Sequence, residues 1–256
     1  ISAHAGDGGR GITELTVETD AVLLAAGRTS NSDILNPEAG GIETDESGWI
    51  RVDEYMETSQ PGVWAFGDAT GKYLFKHTAN YESELVYYNA ARGEGSNRDG
   101  GDKKGDSGGK TPADYRAIPH AVFTHPEIAA VGMGEAEAVE TYGEENVIIG
   151  AAPYGETGKG AAMGLKESEY FVKVLLKNGT GEILGAHIIG PQASVLIQEI
   201  VTCMYTEERR YPFSAMHIHP ALSEVVDRAF SNLMTVHAYG HYIGRIDDEH
   251  YHHAGH

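Results

Sequence analysis

The feature that most constrains the fold is a pair of apolar segments joined by a short polar turn. Residues 170–176 (YFVKVLL) and 182–190 (EILGAHIIG) flank the tetrapeptide NGTG at 178–181. Asparagine and glycine tolerate the positive φ angles of tight turns, so the pattern predicts an antiparallel β-hairpin. Residues 192–204 (QASVLIQEIVTCM) follow with apolar side chains at helical spacing, which places Cys203 in the core. The sequence therefore predicts an antiparallel sheet backed by helices.

Other segments of this second half fit the same arrangement. Residues 122–134 (VFTHPEIAAVGMG) predict a strand interrupted by a proline turn, and residues 135–142 predict a short acidic helix. A second backing helix is expected to begin at Pro220 or Ala221, because proline suits the first helical position.

The first half predicts strands that lead to a possible ligand site. Residues 12–17 (ITELTV) and 21–25 (AVLLA) have strand patterns, and the second is apolar enough to be buried on both faces. Residues 63–66 (VWAF) predict a strand that ends at Gly67 and Asp68, at the carboxyl end where open sheets place ligand-binding residues. An ordinary strand-ending turn is the alternative, because Gly-Asp is common in turns.

A polar segment divides the chain. Residues 77–92 have apolar side chains at helical spacing and predict a helix. Residues 93–112 (GEGSNRDGGDKKGDSGGKTP) hold no aromatic or aliphatic side chain larger than the proline ring, which is typical of a linker.

Glycines 6, 8 and 11 match the spacing of a dinucleotide-binding fingerprint. That fingerprint needs a strand, a turn and a helix in order, and neither a useful strand before these glycines nor a helix after them is expected. We interpret the match as accidental.

Composition excludes several classes of function. The net charge is −19 and the nineteen basic residues are scattered, so a nucleic-acid partner is not expected. No apolar run approaches the roughly 20 residues of a membrane span and no targeting segment is visible, so we expect a cytoplasmic protein. The single cysteine, Cys203, rules out an internal disulfide and a redox dithiol within this sequence. Because the chain starts at Ile1 and reaches a strand pattern almost at once, we expect a fragment of a longer polypeptide.

The C-terminal residues 237–256 carry six of the thirteen histidines and end in HYHHAGH. Histidine-rich tracts can bind zinc, nickel or copper. No cysteine supports these histidines and their spacing fits no structural site, so we expect no specific metal site here.

The octapeptide HIHPALSE at 217–224 allows two interpretations. Proline biases His219 toward a turn, and Glu224 could accept a hydrogen bond from its imidazole, which would leave the other ring nitrogen for proton transfer. Alternatively, His219 is a turn residue beside a helix-capping acid. These eight residues by themselves favour the second interpretation.

In their order along the chain, the segments resemble the C-terminal half of the flavoprotein disulfide oxidoreductases, class I of the pyridine nucleotide-disulfide oxidoreductases. GRTSN at 27–31 is similar to the family's GRxPN turn, with Ser30 in the proline position. VWAFGD at 63–68 is similar to its AxGD segment, KHTANYE at 76–82 to the helix that follows, and HIHPALSE to its HxHPTxxE motif, with Ala221 replacing threonine.

The resemblance implies a fold of mixed α/β and α+β class, with an antiparallel sheet in the last domain. It implies the following parts: the end of an NAD(P)-binding domain (1–31), the second part of an FAD-binding domain (32–92), a flexible linker (93–116), a dimerisation domain (117–235) and a His-rich tail (236–256).

The resemblance also implies a function. His219 would be the acid/base and Glu224 its orienting partner, in a homodimer in which each histidine completes the site of the other subunit. FAD and NAD(P)H would be the cofactors, and the implied cofactor-binding residues are Gly27, Arg28, Gly67, Asp68, His77, Thr78 and Ala79. A dihydrolipoamide dehydrogenase-like enzyme is the main expectation.

Departures from the family pattern keep other functions open. The FAD-binding glycine loop, the CxxxxC redox pair and the nicotinamide fingerprint do not occur in this sequence, so the fragment alone should not be catalytic. The alternatives are a reductase of a low-molecular-weight disulfide, of the mycothione or bis-γ-glutamylcystine type, or a mercuric reductase-like enzyme. Mercury is disfavoured because the tail lacks vicinal cysteines. The non-enzyme alternative is an isolated dimerisation module.

Overall fold

The computed structural model describes two compact units. The described residues are 2–7, 10–16, 18–91, 109–165 and 169–247. One unit comprises Ile1–Leu74 and Ala79–Thr111, and the other comprises Phe75–Thr78 and Pro112–His256. Most of the predicted linker lies outside the described residues, as does the end of the His-rich tail.

The first unit opens with an antiparallel hairpin of β1 (Ser2–Asp7) and β2 (Arg10–Thr16). The strand predicted at 12–17 is confirmed as far as Thr16. The expectation that no useful strand precedes the glycines is wrong, because β1 contains Gly6. No helix follows them, since Gly11 lies within β2, so the order of strand, turn and helix that the fingerprint requires is not formed.

The strand predicted at 21–25 is wrong. These residues form no strand, and Leu23 and Leu24 are 90% and 86% exposed. A strand of this kind needs hydrogen-bonded neighbours, and among the described residues no other segment pairs with it. The apolar composition of this segment therefore overstated its preference for a strand.

The strand predicted at 63–66 is also wrong as a regular strand. The segment makes a single bridge, between Glu57 and Trp64. Met56, on the opposing segment, has a φ of +70°, which breaks the extended geometry that a longer ladder requires. The chain then enters a 3₁₀ turn at Gly67–Thr70. The helix predicted at 77–92 is confirmed as α1 (Lys76–Ala91).

The second unit is built on a six-stranded sheet in which every neighbouring pair is antiparallel. The order is β3-β4-β7-β6-β5-β8. The strands are β3 (His120–Val122), β4 (Ile128–Gly132), β5 (Val147–Pro153), β6 (Phe171–Lys177), β7 (Ile183–Ile189) and β8 (Leu233–Thr235).

In the described part of this unit, five α-helices belong wholly to it. They are α2 (Glu135–Tyr142), α3 (Gly158–Ala162), α4 (Ala193–Met204), α5 (Glu224–Ser231) and α6 (Val236–Asp247). The predicted hairpin (β6 and β7), the strand pair around the proline turn (β3 and β4), and helices α2 and α4 are all confirmed. In the described part of the chain, no helix has both the length and the apolar character of a membrane span.

Both faces of the sheet are covered. On one face α4 and α5 pack on the sheet, and this core contains Cys203, as predicted. On the other face α2 and α6 cover a smaller core. Side chains along β6 alternate between the two cores: Val172 and Val174 face the first core, and Leu175 faces the second.

In the second unit, helices α5 and α6 differ from the sequence expectation. Residues 236–247, assigned to a His-rich tail, form helix α6, whose Tyr239 is only 5% exposed. Helix α5 begins at Glu224 rather than at Pro220 or Ala221. Its entry is a tight turn in which the Val225 N–H donates to the Leu222 carbonyl, so the helical bonding pattern starts later.

Replacement of Ile200 by alanine should destabilise the second unit by about 2–5 kcal/mol, because this fully buried residue of α4 would leave a cavity. Val195 lies on the same helix and is 65% exposed, so Val195→Ala is the matched control and should change the free energy of unfolding by at most about 0.5 kcal/mol. Urea unfolding followed by circular dichroism measures both. Equal effects of the two changes would contradict the packing of α4.

Candidate active site

The predicted histidine and glutamate meet at the start of α5. His219 Nδ1 and Glu224 Oε1 lie 2.8 Å apart. The other carboxylate oxygen, Oε2, accepts the backbone N–H of Ala221 at 3.0 Å. Glu224 thus closes the turn that carries the histidine, and it fixes both the backbone and the imidazole with one side chain.

Hydrogen bonding sets the charge of this pair. The bond to His219 and the bond from the Ala221 N–H lower the pKa of Glu224 below its usual value. The carboxylate is therefore ionised near neutral pH and can only accept, so His219 Nδ1 is the donor. This leaves Nε2 of a neutral ring with its lone pair available for a proton.

The two members of the pair differ in exposure. The His219 side chain is 72% exposed and that of Glu224 is 17% exposed. The carboxylate is held in the protein while the ring projects outward. An arrangement of this kind can exchange protons with a group brought to the surface from outside.

Gly158, the first residue of α3, lies against the imidazole. A Cβ at this position would be 3.2 Å from Cε1 of His219, a distance tighter than most real contacts. The turn before it is fixed, because Thr157 Oγ1 donates to the Tyr154 carbonyl at 2.8 Å and accepts the Gly160 N–H at 3.0 Å. Gly158 therefore restricts the movement of the imidazole ring from one side. The sequence did not predict this role, because the contact forms only in the tertiary fold.

His217, two residues earlier, is part of a separate, partly buried network. Its Nε2 lies 2.8 Å from Glu199 Oε1 on α4 and 3.1 Å from the hydroxyl of Tyr211. Its Nδ1 lies 3.9 Å from Asp227 on α5. Tyr211 stacks on Phe230 at 3.9 Å, and burial, reinforced by Glu199, raises the pKa of its hydroxyl. The network connects α4 to α5 beneath the His219 turn, and nothing in the spacing of HIHPALSE distinguishes this role from that of His219.

The segment before His219 exposes large apolar side chains. Phe213, Met216 and Ile218 are 62%, 98% and 79% exposed. Exposed apolar side chains in one short segment are typical of a surface that contacts another protein.

In the first unit, Arg28 and Asp68 form an ion pair. Arg28 Nη1 lies 3.0 Å from Asp68 Oδ2 and also donates to the Leu74 carbonyl at 2.9 Å. Both side chains are about half exposed. Gly27, the residue before Arg28, has a φ of +89°, a conformation that favours glycine.

The turn that carries Asp68 is pressed against α1. The Gly67 N–H donates to Glu82 Oε2 at 2.6 Å, and Glu82 is 1% exposed. Gly67 has a φ of +66°, and a Cβ there would lie 3.0 Å from the Cβ of Ala79. This packing presents Asp68 at the surface of the turn.

Within the second unit, the start of α1 carries His77 and Thr78. His77 Nε2 lies 2.8 Å from the Pro119 carbonyl, and its ring stacks on Phe75. Thr78 is 4% exposed, and its hydroxyl has no hydrogen-bond partner in the part of the chain that the structure describes. The first N–H groups of a helix also lack intrahelical partners, so this helix start offers donors to a ligand.

The structure brings together His219 with Glu224, Arg28 with Asp68, and Gly67 with Ala79. Within residues 18–91, 109–165 and 169–247, no group of three or more His, Cys, Asp or Glu side chains is placed to hold a metal ion.

The chain is similar to known proteins over most of its length. A model of the pyridine nucleotide-disulphide oxidoreductase dimerisation domain matches residues 118–230, and a model described as pyridine nucleotide-disulphide oxidoreductase matches residues 3–92. Dihydrolipoyl dehydrogenase of Synechocystis sp. is 39% identical over 222 residues, which cover 84% of this chain and 43% of the relative. Mycothione reductase of Mycobacterium tuberculosis is 39% identical over 223 residues, which cover 85% of this chain and 45% of the relative.

A solved structure shares the fold. The HOCl-induced flavoprotein disulfide reductase RclA from Escherichia coli superposes with a TM-score of 0.68 at 23% identity, covering 86% of this chain and 47% of that one. The chain thus spans slightly less than half the length of these relatives.

Replacement of Gly158 by alanine should push the His219 ring and weaken its bond to Glu224. The pKa of Glu224 should then rise toward its ordinary value, because the bond to His219 is the main cause of its lowering. Carbon-13 NMR titration of the Glu224 carboxyl measures this shift. Gly134→Ala is the control, since a Cβ at Gly134 meets nothing within 4 Å. An unchanged titration in Gly158→Ala would show that Gly158 does not restrain the ring.

The Glu224 bonds should also appear in the dependence of stability on pH. Because the folded-state pKa of Glu224 is lowered, its stabilisation is present above the unfolded pKa, about 4.3, and is lost as pH falls through the folded value. The unfolding free energy of the unmodified chain should exceed that of Glu224→Gln near pH 6, and the gap should narrow as pH falls from about 5 toward 2. Urea unfolding of both proteins across this range measures the gap. A gap that is independent of pH would contradict an ionised, hydrogen-bonded Glu224.

Proposed function

Because the chain belongs to the pyridine nucleotide-disulfide oxidoreductase family, as its motifs predicted, we propose that it supplies the C-terminal part of an FAD-dependent disulfide oxidoreductase that uses NAD(P)H. The observation that carries this proposal is the 2.8 Å bond between His219 and Glu224, which leaves the ring exposed. The oriented-base interpretation of HIHPALSE is thereby preferred to the helix-cap interpretation.

The proposed task of His219 follows from thiol chemistry. A thiolate, not a thiol, attacks a disulfide. Nε2 of His219 would take the thiol proton as the new S–S bond forms, and would return it to the sulfur that leaves when the old S–S bond breaks. Glu224 would hold the required tautomer and stabilise the imidazolium between these two transfers.

Several residues fit an FAD molecule. The half-exposed Asp68 carboxylate can accept hydroxyl hydrogen bonds, and Arg28 and Gly27 hold the segment beside it. The start of α1 suits the edge of the flavin ring, which gains negative charge on reduction. It offers the Thr78 hydroxyl, which has no partner among the described residues, and the N–H groups of His77, Thr78 and Ala79. FAD, when bound, would relay two electrons between NAD(P)H and a disulfide. Gly67 allows the close approach of the Asp68 turn to α1.

We propose that the protein acts as a homodimer. The exposed side chains of Phe213, Met216 and Ile218 lead directly to His219, and the matching family model is that of a dimerisation domain. A second copy that covered this segment would bring its own disulfide toward the exposed His219 ring. The redox cysteines would come from residues beyond this sequence, because Cys203 is buried and burial raises the pKa of its thiol.

Dihydrolipoamide is the substrate that we propose first. Several relatives that match more than four-fifths of the chain are dihydrolipoyl dehydrogenases. Mycothione reductase has the same 39% identity as the Synechocystis relative, so a low-molecular-weight disulfide is the second candidate. We place the enzyme in the cytoplasm, where a reducing environment maintains dithiols. Turnover rates of the full protein, measured with NADH or NADPH and with lipoamide or small disulfides, distinguish these candidate substrates.

In the full protein that supplies the flavin loop and the redox disulfide, His219→Gln should leave FAD bound and slow thiol–disulfide exchange by roughly 100-fold or more. Glu224→Gln should cost less, because it loosens the ring without removing it. Stopped-flow absorbance of the flavin measures the exchange step, and the flavin-to-protein ratio checks that FAD is retained. Near-normal exchange in His219→Gln would refute the proposed acid/base.

A further inference from the structure

Helix α6 carries two histidines one turn apart. His237 and His241 are four positions apart in the sequence, and their Nε2 atoms lie 3.3 Å from each other. The ring centroids are 4.8 Å apart and the planes cross at 85°. Both side chains are exposed, so an ion can reach the two nitrogen atoms without disturbing the core.

The separation of the two nitrogen atoms matches the distance between two ligand atoms bound to one metal ion. Imidazole nitrogen binds Zn²⁺ at about 2.0–2.1 Å with tetrahedral angles, which puts two such ligands about 3.3–3.4 Å apart. A direct N–H···N hydrogen bond between the two rings is the competing interpretation of the same distance. Two histidines at positions i and i+4 of one helix face are a known arrangement of zinc ligands.

The pair is fixed in place by the packing of α6. Tyr239, between the two histidines in sequence, is 5% exposed and contributes to the smaller core of the sheet. The Lys173 ammonium lies 4.5 Å from the centre of its ring. At the start of the helix, the Ala238 N–H donates to Thr235 Oγ1 at 3.1 Å. These contacts hold the helix so that both histidines face outward on the opposite side.

Although the spacing of the C-terminal histidines led us to expect no specific metal site, we propose that His237 and His241 chelate one Zn²⁺ ion through their Nε2 atoms, with water completing the coordination. Borderline dications such as Zn²⁺ favour imidazole, whereas Mg²⁺ and Ca²⁺ favour oxygen ligands. Because an ion bound here would cross-link successive turns, it would stabilise α6 on the sheet by linkage. The site is separate from His219, and the proposal does not depend on the disulfide chemistry.

The test must exclude the other C-terminal histidines. The full chain with His250, His252, His253 and His256 all replaced by glutamine is the background protein. Isothermal titration with Zn²⁺ in a buffer that does not bind metal gives affinity and stoichiometry. His237→Gln, His241→Gln and the double variant are compared in this background, and His125→Gln is the control because His125 is an exposed histidine in the same unit.

We expect one Zn²⁺ per background chain, a roughly tenfold or greater loss of affinity in each single variant, and no change in His125→Gln. Cu²⁺ electron paramagnetic resonance should show two nitrogen ligands in the background chain and one in each single variant. Circular dichroism confirms that the variants keep their helix content. Absence of Zn²⁺ binding to the background chain at millimolar concentration, equal affinity in the double variant, or an equal loss in His125→Gln would overturn the proposal.

Discussion

The two hydrogen bonds of the Glu224 carboxylate are the interaction on which the candidate active site depends. One bond fixes the His219 ring and the other fixes the Ala221 backbone, so a single ionised group defines the turn, the tautomer and the direction of Nε2. Glu224 can do this because it is the first residue of α5, where a carboxylate also interacts favourably with the helix N-terminus.

The packing of the second unit holds the start of α5 in place. Val225, Val226, Ala229 and Phe230 bury one side of α5 completely against the sheet, while Glu224 stays at the rim. The His217 network joins the same turn to α4, and the fixed turn before Gly158 restrains the ring from the other side. The turn that carries His219 is thus fixed by neighbouring elements, while the imidazole ring itself remains exposed and open to proton exchange.

Local patterns predicted much of this architecture. The NGTG turn gave the central hairpin, and the apolar stripe of α4 placed Cys203 in the core, because both signals depend on neighbouring residues in sequence. The spacing of His219 and Glu224 allowed their contact, but only the resemblance to the family motif favoured it over a helix cap. The strands expected at 21–25 and 63–66 did not form, since strand formation depends on a partner and local apolar character does not supply one. Gly158 lies 61 positions before His219, and no local pattern could reveal a contact made only by the tertiary fold.

In the proposed homodimer the histidine of one subunit serves the disulfide of the other, and mixed dimers test this arrangement. In the full protein, subunits that carry His219→Gln are co-expressed with subunits that have an intact His219 and a serine in place of a redox cysteine. Neither variant alone should turn over at a normal rate, and purified heterodimers should recover about half of the normal activity, because each contains one complete site. Heterodimers as inactive as either parent would contradict a site shared between subunits.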